Sequence, residues 1–320
     1  MPSLYTHCLL GEKVFDKISE GKVKEAISMT DTLYTIGTNG PDIFFFYHAW
    51  PWLHNEHAKV VNGYGEKMHG SHINNMFKVM LDMCKKKNNP FYIAYTAGVL
   101  MHWALDHIAH PYVFNQTGDC QGKSSLIHRM YESHIDREMI NEFGIDIRVK
   151  KPYSFVAYKT TTYHPIYDLY SKVLKEIWNI ELKESEMATC VKDFYRIERA
   201  LYDTSGSKMK WIGKLEGTLN LKGYGTSMVI PMEGYKGWDV LNRQKRNWRH
   251  PSTGEVKNSS FLEMFEEATI TGTKLLTMME DYLNDKISVD SILDYLGNRN
   301  FHSGLLEDNF QYFDLVEDIV

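Results

Sequence analysis

The sequence predicts an all-α protein, on three observations. Apolar residues recur at helical rather than strand spacing along most of the 320 residues. Helix start and stop signals bracket those stretches. Strand-like alternation surfaces only weakly, at residues 148–156 and 228–231, and no repeat or low-complexity segment interrupts the pattern.

In chain order, Val14, Ile18, Val23, Ile27 and Leu33 give an apolar face to a helix over residues 13–34, which the turn cluster at 37–41 ends. Residues 43–57, aromatic and histidine-bearing around Pro51, read as irregular. Ile73, Met76, Phe77, Met80, Leu81 and Cys84 define one face of a helix over 71–86. Asn89 before Pro90 is an N-cap followed by proline at the first helical position. That helix runs to about Ala109, where Pro111 is expected to stop it. Residues 119–123 form a loop; Ser124 or Ser125 then caps a helix to about Phe143, ended by Gly144. Two amphipathic helices follow at 165–180 and 185–202, and 223–257, rich in Gly, Pro and Asn, reads as a long structured loop. Ser260 and Glu263 make a capping box for a helix to about Leu283, and 289–296 is a short last helix.

The chain carries 36 basic and 41 acidic residues, a net charge of -5, which argues against a general nucleic-acid binder. Residues 304–320 hold five acids and no base and read as a solvated tail. The N-terminus shows no basic segment followed by an apolar run, and no stretch approaches a membrane span. The four cysteines are far apart and read as reduced thiols, so the expected location is cytoplasmic. Histidine is in excess: 14 residues, eleven of them within the first 134. That makes a metal site the first functional hypothesis.

Spacing sharpens it. His102, Asp106 and His110 lie four apart on one helix and share a face near its C-terminal end. His128 and Glu132, again four apart, lie on the next helix. Two such faces turned toward each other offer three imidazoles and two carboxylates to one pocket, donors that suit zinc. No His-Glu-x-x-His and no His-Asp dipeptide occurs, and only Glu66–His69 fits Glu-x-x-His. Zincin proteases, HD-type phosphohydrolases and ferritin-like di-iron proteins are therefore disfavoured.

Five blocks in order carry a resemblance over about residues 5–140. They are Thr6-His7-x-x-Leu10-Gly11, Gly40-Pro41-Asp42-Ile43-Phe44-Phe45, Gly65-x-x-Met68-His69, His102-x-x-x-Asp106-x-x-x-His110-Pro111-Tyr112 and His128-x-x-x-Glu132. Together they resemble the zinc-dependent phospholipase C family, whose fold is shared with the S1/P1-type nucleases. Trp248-Arg249-His250-Pro251 followed by Ser260-Phe261 is similar to a recurring feature of bacterial members. The resemblance implies a mainly antiparallel helical bundle around a metal cluster, with a C-terminal helical extension. Residues 1–150 would form the metal-binding catalytic region, and 151–320 a helical region packed into the same domain.

By position, the resemblance implies that His69, His102 and Asp106 hold one zinc ion and His110, His128 and Glu132 a second. His7, with Asp106 bridging, would touch a third. Asp42 would be no ligand but would orient the attacking water or act as general base. Secreted members complete the third zinc with an N-terminal Trp, which this chain lacks. The Asp106–His110 step is short for the secreted enzymes, so His107 stands as an alternative ligand. The implied activity is phosphodiester hydrolysis of the phospholipase C type by a metal-activated water, on a phosphoester or phospholipid, with no stable nucleic-acid partner. A nuclease of the same fold is the sibling reading, and a metal- or lipid-binding bundle the non-enzymatic one.

Several residues stay open between a site role and a bland one. His48, His54, His57 and His72 flank the Asp42 block as lip or loop residues. Trp50-Pro51-Trp52 reads as an apolar lip or as packing. Arg243, Lys245, Arg246 and Arg249 form a basic run that reads mainly as a solvated loop. His134 points away from the ligand face, while Asp136 lies on it and can support a ligand.

Overall fold

The structure, a computed structural model, describes residues 4–157, 163–219, 221, 223–234 and 237–316. It is built around α6 (Pro90–Thr117), a helix buried on almost all sides, with 23 of its 28 residues inside. A helix apolar all round belongs at the centre of a bundle. Packed against it are α1 (Leu4–Lys17), α2 (Lys22–Met29), α3 (Asp31–Gly37), α5 (Ile73–Lys87), α7 (Lys123–Glu142), α9 (Tyr163–Trp178) and α12 (Phe261–Leu283). A 3-10 helix (Gly40–Phe46) and α4 (Glu56–Gly70) lie together beside them. The short α8 (Pro152–Phe155), then α10 (Glu184–Leu201), α11 (Ser207–Leu219) and α13 (Val289–Leu296) complete the helices. The only strands among the described residues are β1 (Trp248–Arg249) and β2 (Val256–Lys257), an antiparallel pair. One apolar core runs from Leu4 to Phe301. The all-α expectation is met, and among the described residues no helix is long and apolar enough to cross a membrane.

Boundaries depart from the sequence reading in instructive ways. The helix expected over 13–34 begins at Leu4 and is three helices, because the backbone turns at Gly21 and Thr30. At Thr30 both the N–H and the hydroxyl fold back onto the carbonyl of Ala26. The apolar spacing continues across these breaks, which is why periodicity alone runs them together. Pro111 does not stop α6; the helix continues to Thr117. Proline removes the hydrogen bond to the carbonyl of His107, and Gly304 packs onto that carbonyl so closely that a Cβ has no room. The weak strand-like alternation does not become strand: residues 152–155 are helical, and 228–231 leave a short 3-10 turn. The tail expected beyond 304 is a strap, described to 316, with no helix in it. Gln311 and Tyr312 donate to the carbonyl of Pro251, Asp314 to that of Asn115, and Val316 to that of Gln116.

Two close approaches fix the geometry that follows. Gly37 and Gly98 face each other where α3 crosses α6, and a Cβ on either would lie within 2.5 Å of the other helix's backbone. The chain then turns at Gly40, whose φ of +45° favours glycine and whose Cα lies against the His102 ring. This sets the Asp42 carboxylate against α6.

Candidate metal centre

Eight side chains from five elements converge. α1 brings His7, the 3-10 helix Asp42, α4 His69, α6 His102, Asp106 and His110, and α7 His128 and Glu132, all buried but His110, which is partly so. That makes eight residues with Asp42 counted beside the seven expected ligands, and the structure gathers all of them. Their donor atoms fall into three groups, each spanning no more than 4.8 Å: His7, His102 and Asp106; Asp42, His69 and His102; His110, His128 and Glu132.

Asp106 is the hub. Its Oδ1 lies 3.2 Å from His7 Nε2, and its Oδ2 lies 3.1 Å from His102 Nε2 and 3.4 Å from His110 Nδ1. Glu132 Oε1 lies 3.2 Å from His110 Nε2 and 3.3 Å from His128 Nε2. Asp42 stands among these groups: Oδ1 is 3.1 Å from His69 Nε2 and Oδ2 is 3.4 Å from His102 Nε2. The resemblance set it beside the ligands; its oxygens reach the same imidazoles as theirs.

The tautomers are set from outside the cluster. Nδ1 of His69 meets the carbonyl of Gly65 at 2.8 Å, and that of His102 the carbonyl of Thr38 at 3.2 Å. Nδ1 of His110 meets the carbonyl of Phe301 at 3.1 Å. Thr117 gives its hydroxyl proton to Val113, so its oxygen accepts from His128 Nδ1 at 3.0 Å. With Nδ1–H donated outward, each Nε2 presents a lone pair inward, the arrangement that orients metal-binding histidines. As neutral imidazoles, His69 and His102 then face each other Nε2 to Nε2 at 3.3 Å, two lone pairs with no proton between them. Asp42 Oδ2, Asp106 Oδ2, Glu132 Oε2 and His7 Nδ1 are buried without a hydrogen bond. Buried anionic oxygens without donors are costly, and these donors fit divalent cations of the zinc type.

Electrostatics agree. Burial opposes ionisation of Asp42, Asp106 and Glu132, yet the surrounding imidazoles outweigh it and hold all three carboxyls below their usual range. Burial pushes the His102 imidazole down to about 3, leaving it neutral, and lowers His128 as well. At His110 burial also acts downward, but Asp106 and Glu132 prevail and hold it up at about 9. His69 is raised in the same way, with Asp42 overcoming burial. Without metal, protons on these imidazoles take the cations' place.

Residues from outside the motifs support the cluster. Asp136 accepts from the backbone N–H groups of Tyr5 and Thr6 at 3.1 and 2.8 Å, so it holds the N-terminus of α1 and thereby His7. The turn just before the strap supplies more: Phe301 donates its N–H to the carbonyl of His69 at 3.0 Å and accepts from His110. His302 lies parallel to the His69 ring, with centroids 5.7 Å apart, and its Nδ1 meets Asp308 at 2.9 Å. Sequence reasoning missed Thr38, Thr117, Phe301 and His302, and it quoted Gly65 in a motif without its acceptor role. Phe301 and His110 are 191 residues apart, and no spacing rule links them.

The other candidates lie elsewhere. His107 stacks on Trp103 at 3.8 Å, donates to the Trp103 carbonyl and joins none of the three groups. His57 pairs with Glu186 at 2.9 Å, His48 stacks on Tyr47, and His72 precedes α5. The ring of His134 meets Trp238. The basic run is largely paired on the surface, Arg243 with Glu142, Lys245 with Glu263 and Arg249 with Asp314.

No curated protein and no solved structure matches the chain. The family model for zinc-dependent phospholipase C matches residues 6–200, which hold the eight clustered residues. The chain therefore belongs to the zinc-dependent phospholipase C family.

Proposed function

We propose that this centre binds at least two zinc ions and hydrolyses phosphodiesters in the manner of a phospholipase C. The observation that carries the reading is the set of inward Nε2 lone pairs and undonated carboxylate oxygens in one buried cluster. In this reading His110, His128 and Glu132 hold one ion. His69, His102 and Asp42, with Asp106 at its edge, hold another. His7 and Asp106 offer a further position. When bound, the ions would supply Lewis-acid charge for the phosphoryl oxygens and make water more acidic.

The chain's own groups supply the rest. Asp106, facing His7 with one oxygen and His102 and His110 with the other, sets the spacing of the positions. The outward Nδ1–H bonds hold the imidazoles in place without reorganisation. Asp42 Oδ2, buried without a donor, can accept a proton from a water entering the cluster. His302 and Phe114 pack beside the cluster, His302 against His69 and Phe114 against His128, with their own rings 5.7 Å apart.

The test is metal analysis combined with hydrolysis of a phosphocholine diester, a phosphomonoester and single-stranded DNA. The reading expects zinc-dependent cleavage of the diester and its near abolition in Asp42→Asn. Preference for the monoester or for DNA would transfer the centre to another phosphoesterase class. Zinc binding without hydrolysis of any of the three would leave a metal-binding bundle.

A further inference from the structure

α11 is unlike the other long helices. It is 13 residues long, and Glu216 is its one buried residue. Apolar packing does not hold it; two carboxylates do. Asp203 accepts from the backbone N–H of Met209 near its start, at 2.9 Å. Glu216 gathers the backbone N–H groups of Gly223, Gly225 and Thr226 near its end. The outer face is left unused by the fold. Trp211, Leu215 and Leu219, four apart and so on one stripe, are 67%, 43% and 56% exposed. Lys208 lies within the stripe, and Lys210 and Lys214 flank it. The helix's only acid, Glu216, is turned inward.

We propose that α11 is an interfacial anchor that docks the protein on an anionic lipid surface. An exposed apolar stripe with tryptophan, edged by lysines, is the pattern of a helix lying in a lipid headgroup layer. The charge complementarity is specific to an anionic surface. The neighbouring surface extends it. Tyr224, beside the Glu216 anchor, donates its hydroxyl to the carbonyl of Ala49 at 3.0 Å, next to Trp50 and Trp52. Trp50 and Trp52 stack at 5.3 Å, and Trp52 is 75% exposed. Arg129, which follows His128 on α7, lies over the Tyr224 ring at 5.8 Å. α11 lies beyond the residues that match the family.

The experiment is co-sedimentation of the full chain with vesicles of phosphatidylcholine alone and of phosphatidylcholine with phosphatidylserine. It requires no turnover, so it stands or falls separately from the phosphodiesterase reading. Binding is expected to the phosphatidylserine vesicles and to weaken with salt. The triple variant Lys208→Gln, Lys210→Gln, Lys214→Gln should lower it by about 100-fold. Trp211→Ala with Leu215→Ala should lower it roughly tenfold or more. These side chains are exposed, so circular dichroism and the hydrolysis of a soluble diester should stay unchanged. Failure to bind either vesicle, or binding indifferent to both variants, would overturn the proposal. So would a dimer in sedimentation velocity that Trp211→Ala dissolves, since the stripe would then belong to a second copy of the chain.

Discussion

Raising the pH of the metal-free protein should destabilise it over a window that the cluster defines. His110 is held at about 9 in the folded chain, as Asp106 and Glu132 overcome burial, and titrates near 6.5 when unfolded. Its raised value stabilises the fold fully below about pH 6.5, and that contribution is lost as the pH rises through about 9. Between those limits the folded chain binds about one proton more than the unfolded chain. Stability then falls by about 1.4 kcal/mol per pH unit, or about 3 kcal/mol in all. His69, also raised, adds to the fall. Below about pH 6.5 the slope reverses, because the buried imidazoles of His102 and His107 stay neutral in the fold and take up protons only on unfolding. The assay is urea denaturation of chelator-treated protein across the window, where the midpoint should drop by about 1 M for an m-value near 3 kcal/mol/M. Zinc displaces the proton from His110, so the loaded protein should lose the alkaline fall. A metal-free protein equally stable at both ends of the window would refute the reasoning.

Three substitutions probe the supports separately. Gly40→Ala should cost about 2 kcal/mol or more and release zinc, because φ is +45° and the new Cβ meets the His102 ring; thermal melting and metal content check it. Thr117→Val keeps the side-chain volume but removes the oxygen that receives His128 Nδ1–H. Zinc affinity in competition with a chelator should fall about 10- to 100-fold while the fold persists. His107→Gln should leave zinc stoichiometry unchanged, since the ring stacks on Trp103 outside the cluster; loss of an ion would restore His107 as a ligand.

What was legible in the sequence was whatever repeats within one helix. His102, Asp106, His110, His128 and Glu132 declare a shared face by steps of four, and α6 and α7 bring those faces together. The buried residues of α4, Ala58, Val61, Tyr64, Gly65 and Met68, also keep helical spacing, but glycines and histidines among them thin the apolar signal. α11 gives no core-facing stripe because it has almost no core side. The acceptors behind the imidazoles were illegible for another reason. Three are backbone carbonyls, and any residue type could supply them. Phe301, just before the strap, reaches His110 only through the folded path of the whole C-terminal half.

The most direct test of the central claim is the zinc content of the purified chain, measured by plasma emission on wild type and on Asp106→Asn. With Asp106 facing three imidazoles across the cluster, the account predicts at least two tightly held ions per wild-type chain and the loss of at least one in the variant. Less than one ion per wild-type chain, under conditions where it folds, would contradict it.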